Sequence, residues 1–477
     1  MASKIDKHRT VKLMLVAALA VTIALAPHAG VAQSIKPTAL IGARLIDGRG
    51  GAPVDNATVV VYDGAIVAVG AAKNVEIPPD ARVIRLAGRT VMPGLIDSHV
   101  HIGLSGGGAV DAREVKAVAA TKNLRSHLKF GVTAVFDLGG NPFVQGLKDA
   151  LAAERMVGPR LFGVKYGNTS PGSHPLGLLR DMRLDKLLAN AHPTVQSVER
   201  ARFWIARIAS QRVDAIKIFH TRSEFPGTAR LAANGARFEP RVLKALIAAA
   251  HGRKLKAFVH VAVPNEAREA VLAGADVIAG AIGRSEAGAE ATFRLMAERG
   301  AAYIPTLAQI EAAHAGPVEA KALAKLRGRV WSVVLDSIAS ADGLVRKRRL
   351  VKGFPEASRR HFEIARANLK RAVAAGVRIA MGTGAGNPGV MHGASAAREM
   401  ELMTQAGMTP MQAIIAATAN AAEIIGMASK LGTLEAGKLA DMIVIKGDPL
   451  KNISAIREID LVVRGGYVFD PRGIRID

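Results

Sequence analysis

The sequence has no cysteine, few aromatic residues and far less acid than base. With no cysteine there are no disulfides, so stability must come from an apolar core or from bound metal. Aromatic residues are only 4% of the chain, while 64 Lys and Arg face 40 Asp and Glu for a formal charge of +24. Such a charge attracts polyanions. The scarcity of aromatics, taken with the export argued below, sets nucleic acid aside as the natural partner. Anionic envelope components, an anionic small substrate, or a basic surface that serves only solubility remain. Long apolar runs are also missing beyond the N-terminus, and no later segment resembles a transmembrane helix.

What is present describes a folded protein. Hydrophobic residues make up 49% and charged residues 22% of 477, which excludes general disorder and allows a large barrel plus a smaller domain. Lys4, Lys7, Arg9 and Lys12 precede an apolar run from Leu13 to Ala26, and Ala29-Gly30-Val31-Ala32 follows. Residues 1–32 therefore read as a secretory signal peptide cut after Ala32, placing the protein in the periplasm or outside the cell. The apolar run is short for a membrane span, so no stable membrane anchor is expected. Removing four basic residues and one acid takes the charge from +24 to about +21.

Residues 33–90 read as short strands and turns: Ala39–Leu45, Thr58–Tyr62, Ala65–Val69 and Ala81–Leu86. Residues 428–477 repeat the style with Met442–Ile445 and Leu461–Val463, and the two pieces are expected to pair into one small β-sandwich domain. Residues 91–427 alternate apolar runs with helical patterns. The runs are Ile96–Ile102, Ala134–Leu138, Arg160–Tyr166, Asp214–Phe219, Ala257–Ala262, Asp276–Ala281, Ala302–Leu307 and Arg378–Thr383. Eight such runs, separated by stretches such as Val198–Arg212 and Pro240–His251, give the rhythm of an α/β fold, a (β/α)8 TIM barrel. Chemistry in that architecture sits at the C-terminal ends of the strands.

The candidate residues fall there. In Val91–His101, an apolar strand runs into His99-Val100-His101, and residues two apart on a strand share a face. Two imidazoles side by side suit a divalent metal. Lys217 lies in the fourth run and His260 in the fifth. A lysine inside an apolar strand must be paired, neutralised or modified, because a lone buried ammonium is costly.

With these motifs, and with Ile304-Pro305-Thr306-Leu307, Gly386-Asn387-Pro388-Gly389 and Gly432–Asp441, the chain resembles the amidohydrolase superfamily, its imidazolonepropionase-like and prolidase-like branch. The resemblance covers about residues 38–470. It implies that His99, His101, a carbamylated Lys217 and His260 hold metal, one zinc-like divalent ion being expected. His174 and His392, in loops after the third and eighth strands, are implied to face substrate and are candidate catalytic residues with Lys217. Two positions depart from the family pattern. Gly280 stands where a sixth-strand histidine is expected, and Gly384 where an eighth-strand aspartate serves as base. A second metal site is therefore incomplete.

Three functions follow. The first is an exported metal-dependent hydrolase of an amide, peptide or cyclic amide bond in a small substrate, working with a reduced metal site. The second is a metal-free enzyme using unmodified Lys217 as base or Schiff-base nucleophile. The third is a pseudoenzyme or partner subunit that binds ligand without catalysis. A homo-oligomer is compatible with each. His220, Asp137, the basic run Arg346-Lys347-Arg348-Arg349 with Lys352, and the loop Gly106-Gly107-Gly108 are secondary features.

Overall fold

The run from Val91 to His101 folds as two strands rather than one. A computed structural model of the chain describes residues 36–104, 117–140, 144–171, 173–176, 192–221, 237–315, 320–340 and 353–477. Gly94 divides the run, because its backbone passes so close to Thr133 that a Cβ would sit 2.5 Å from Thr133 Cγ2. Before it, β5 (Arg89–Pro93) belongs to one sheet; after it, β6 (Leu95–Val100) starts another.

The first sheet joins the two ends of the chain, as the strand pattern predicts. It contains β1 (Thr38–Leu45), β2 (Val54–Tyr62), β3 (Ala65–Ala71), β4 (Arg82–Arg85) and β5, with β14 (Met442–Lys446), β15 (Ile459–Arg464) and β16 (Tyr467–Phe469). Its order is β16-β15-β14-β5-β1-β2-β3, with β4 beside β1. The seam between the ends is the antiparallel pair β5–β14, Met92 facing Ile443 and Val91 facing Val444. Alternating side chains, among them Val59, Val61, Ile66, Met442, Val444 and Val463, form one apolar layer.

The central segments build parallel ladders. One sheet runs β6, β7 (Val132–Asp137), β8 (Arg160–Gly163). Another runs β9 (Gly167–Thr169), β10 (Ala215–Phe219), β11 (Lys256–His260), β12 (Val277–Ala279), β13 (Ala302–Ile304). The third run is thus split, β8 pairing with β7 and β9 with β10. The eighth run forms no regular strand. Just beyond it, Gly384 (φ +69°) and Gly386 (φ +100°) leave extended geometry. It still sits between its expected neighbours, through parallel bridges from Ile379 to Tyr303 and from Ala385 to Val100. Buried Asp97 adds a side-chain link there, accepting from Thr383 Oγ1 at 2.6 Å and Thr383 N at 3.0 Å. Ladders and bridges together are consistent with a TIM barrel.

Helices separate the parallel strands, among them Ala117–Lys129, Val198–Ala209, Pro240–His251 and Phe354–Ala374. Ser197 caps the second of these, its side chain accepting from Arg200 N at 3.1 Å. Arg160 on β8 grips Asp441 just before β14 with two hydrogen bonds, at 2.7 and 3.0 Å, tying a parallel strand to the sheet of the chain ends. Among the described residues no helix is long and apolar enough to cross a membrane.

Candidate active site

His99 is the penultimate residue of β6 and His101 follows the strand, with ring centroids 5.2 Å apart. Backbone bonds to the eighth run fix both: Gly384 N donates to His99 O at 2.8 Å, and His101 N to Ala385 O at 2.7 Å. Lys217, in the middle of β10, is fully buried, and its Nζ donates to Ala279 O at 3.2 Å. The same carbonyl lies 3.2 Å from Nδ1 of His260, the last residue of β11. His174 stacks on His260 with centroids 4.8 Å apart and ring planes 21° off parallel. The peptide between His174 and Pro175 is cis. Lys217, His260 and His174 are thus tied through shared neighbours, and His99 and His101 to each other through their ring contact.

Electrostatics link all five groups. Burial lowers the basicity of His99 and His260 well below the ordinary imidazole range, and takes His101 and His174 down to about 3. The Lys217 cation is a further cause in all four. These imidazoles are therefore neutral at ordinary pH, the form in which histidine ligates metal. His99 Nδ1 is buried and makes no hydrogen bond.

His392 takes another place. Its Nδ1 meets His127 Nε2 at 3.0 Å and its Nε2 meets Leu104 O at 2.6 Å, so both ring nitrogens are engaged. It still lies near enough to His101 to depress that ring's basicity. His220 meets Glu269 at 2.9 Å, while Asp137 accepts from Gly139 N at 2.8 Å and so caps a turn. Arg346–Arg349, Lys352 and Gly106–Gly108 lie outside the described residues.

Two participants escaped the sequence pattern. His192 is buried, sits edge-on to Phe219 at 5.7 Å, and is one of the groups acting on His101 and His174. It comes from an irregular segment with no periodicity to mark it. Gln309, on the helix Leu307–His314, is buried against Gly384. Only the absence of a side chain at 384 could have pointed to it.

The two anomalous glycines are structural requirements here. Gly280 has φ +144°, and a Cβ on it would come within 2.6 Å of His260 Nδ1. Gly384 has φ +69°, and a Cβ there would fall on Gln309 Oε1, 3.1 Å from Cδ and 3.2 Å from Cβ. Neighbouring side chains have closed over both positions. Among the described residues, no three His, Cys, Asp or Glu side chains are arranged to hold a metal ion.

The Amidohydrolase family profile matches residues 90–468. Ochratoxinase of Aspergillus niger is 28% identical over 478 aligned positions, 92% of this chain and 88% of its own length. Imidazolonepropionase of Geobacillus thermodenitrificans is 25% identical over 87% of this chain and 90% of its own. Among solved structures, a prolidase complexed with N-methylphosphonate-L-proline aligns with a TM-score of 0.71 at 24% identity, over 91% of this chain and 100% of that one.

Proposed function

The chain belongs to the amidohydrolase family of hydrolases acting on carbon–nitrogen bonds, and we propose that it cleaves an amide, peptide or cyclic amide bond of a small, anionic substrate with one metal ion. The observation that carries this reading is the neutral imidazole cluster, His99, His101 and His260, around fully buried Lys217 at the strand ends. By donor type the set suits one ion, three neutral imidazoles with a carbamate on Lys217 as the anionic donor, although the described His, Cys, Asp and Glu side chains are not arranged in threes to hold it. A bound zinc-like ion would polarise the substrate carbonyl and make water acidic enough to attack near neutral pH.

The chain's own residues do the rest. Carbamylation replaces the Lys217 cation with an anion, reversing its effect on four rings and raising their basicity. His174, stacked on His260, then takes up the proton, since Gly384 offers no carboxylate. His192 and Phe219 pack around these rings and keep water out. His392 holds Leu104, four residues past the end of β6. A (β/α)8 barrel over residues 91–427, a β-sandwich domain from residues 33–90 and 428–477, and export to the periplasm with cleavage after Ala32 complete the proposal.

The test is a panel of dipeptides, N-acylprolines and cyclic imides, read by mass spectrometry, with elemental analysis of the same purified protein. One zinc-like ion per chain and chelator-sensitive release of an amine are expected. Amine release that survives a strong chelator would replace this reading with a metal-free lysine mechanism. Neither metal nor turnover would leave a ligand-binding protein.

A further inference from the structure

Away from the strand ends, a cavity of about 1060 Å³ opens between the helix Leu307–His314, the helix Ala394–Gln405 and the segment from Lys321 to Ser340. That is room for a drug-sized ligand. Neither Lys217 nor any of the predicted site histidines lines it. Ala308, Ala312 and Ala315 follow one face of the first helix, and Ala394 and Ala397 answer from the second. Phe130, Leu326 and Met391 keep the remaining walls apolar.

Charge in this lining is one-sided. Five cations, Lys321, Lys325, Arg329, Arg398 and Arg457, meet two acids, Glu311 and Glu458. Glu311 is already committed, accepting from Arg398 Nε and Nη2 at 2.9 and 2.6 Å. Arg457 is satisfied by Glu401, at 2.7 and 2.9 Å. Among the described residues, no carboxylate forms an ion pair with Lys321, Lys325 or Arg329. Arg329 is half-buried and held in place. Its guanidinium lies over the Phe130 ring, 4.3 Å from the centroid, and its carbonyl accepts from Ser126 Oγ at 2.9 Å. A guanidinium fixed against an aromatic wall, with no acid of its own, is preformed to take a carboxylate. A neutral apolar molecule would leave the cations unanswered, and a small inorganic anion would leave the apolar walls wet.

We propose that this cavity binds an amphipathic monocarboxylate, its apolar body among the alanines, Phe130 and Leu326, and its carboxylate on Arg329 with Lys325 at the rim. The site is separate from the strand-end cluster, and binding there needs neither metal nor hydrolysis.

The test titrates decanoate, decanol and acetate by calorimetry into the full-length protein, with Arg329→Gln, Ala312→Phe and Lys217→Met alongside. Decanoate should bind once per chain, decanol at least about tenfold more weakly, and acetate without measurable heat. Arg329→Gln should weaken decanoate by about tenfold or more and leave decanol within about twofold. Ala312→Phe, which fills the cavity, should weaken both. The charge comparison stands without that packing variant if it fails to fold. Lys217→Met should leave decanoate binding unchanged, whatever it does to hydrolysis. Equal binding of decanoate and decanol, or decanoate indifferent to Arg329→Gln, overturns the proposal. Decanoate lost in Lys217→Met but kept in Arg329→Gln overturns it too, by moving the ligand to the strand ends. No decanoate uptake ends it outright; if Ala312→Phe then lowers the solution mass in light scattering, the cavity is a contact between copies of the chain.

Discussion

The two sides of the strand-end cluster present different things. β6, β10 and β11 offer side chains: His99, His101, Lys217 and His260. β12 and the eighth run offer backbone. Ala279 O receives Lys217 Nζ and lies against His260 Nδ1, while Gly384 N holds His99 O. The side without side chains therefore acts as a mould for the side that has them. Glycine here does not leave a hole; the ring of His260 and the amide of Gln309 occupy the space. Putting a ligand back would meet a site already packed, which is why single reversions are poor tests of ancestry.

The comparison breaks first if the side-chain half is dispensable. Lys217→Met keeps the volume and removes the nitrogen. It should cut kcat/KM by about 100- to 10,000-fold and reduce metal content below one equivalent, measured on the same preparation. Retained activity and metal would mean that the chemistry lies elsewhere. The backbone half is probed by adding a methyl group. Gly384→Ala combines left-handed strain with overpacking and should cost about 2–4 kcal/mol in denaturant unfolding. Gly280→Ala should cost at least as much, about 2–4 kcal/mol, because φ +144° is closed to side chains and a Cβ there would lie 2.6 Å from His260 Nδ1. Two neutral substitutions would show that the mould is loose.

Between the halves stands Asp97, which accepts from Thr383 twice and from His99 N at 3.3 Å. Burial pushes its carboxyl up to about 7 against those hydrogen bonds. Because the folded value exceeds the unfolded one, stability is full at acid pH and declines as pH rises from the ordinary carboxylate range to about 7. Thr383→Val removes one donor from a buried oxygen and should cost about 1–3 kcal/mol. It should also carry the decline to higher pH, read from unfolding curves at several pH values. An unchanged profile would mean that Asp97 is hydrated.

Much of this was legible in the sequence, and the exceptions share a cause. Pairing of the chain ends followed from alternation in Thr58–Tyr62 and Met442–Ile445. The parallel strands followed from short apolar runs, and the cluster from His-x-His, Lys217 and His260. What periodicity could not show was where two backbones nearly touch. Gly94 splits an unbroken apolar run into two sheets because Thr133 presses on it. The eighth run is held by isolated bridges, and Gly384 and Gly386 turn the chain just after it. His192 and Gln309 reach the site from an irregular segment and from a helix, so their spacing carries no signal. The absences at 280 and 384 were readable; their occupants were not.

Acid pH has the smallest expected effect. Burial is the main cause holding His101 and His174 at about 3 and His192 and His392 at about 4. Unfolded imidazoles titrate near 6.5, so below that pH the unfolded chain binds protons that the folded chain refuses. Stability should fall as pH drops from about 6.5 towards 4, by about 1.4 kcal/mol per pH unit for each histidine kept neutral. His192→Phe should remove one histidine's share of that slope. In the metal-free protein, where Lys217 is unmodified, Lys217→Met lifts a cation from the cluster, raises the basicity of the rings around it, and should flatten the slope further. If neither variant changes it, the rings are already in contact with water, and the backbone half is not shaping a dry, cation-held pocket at all.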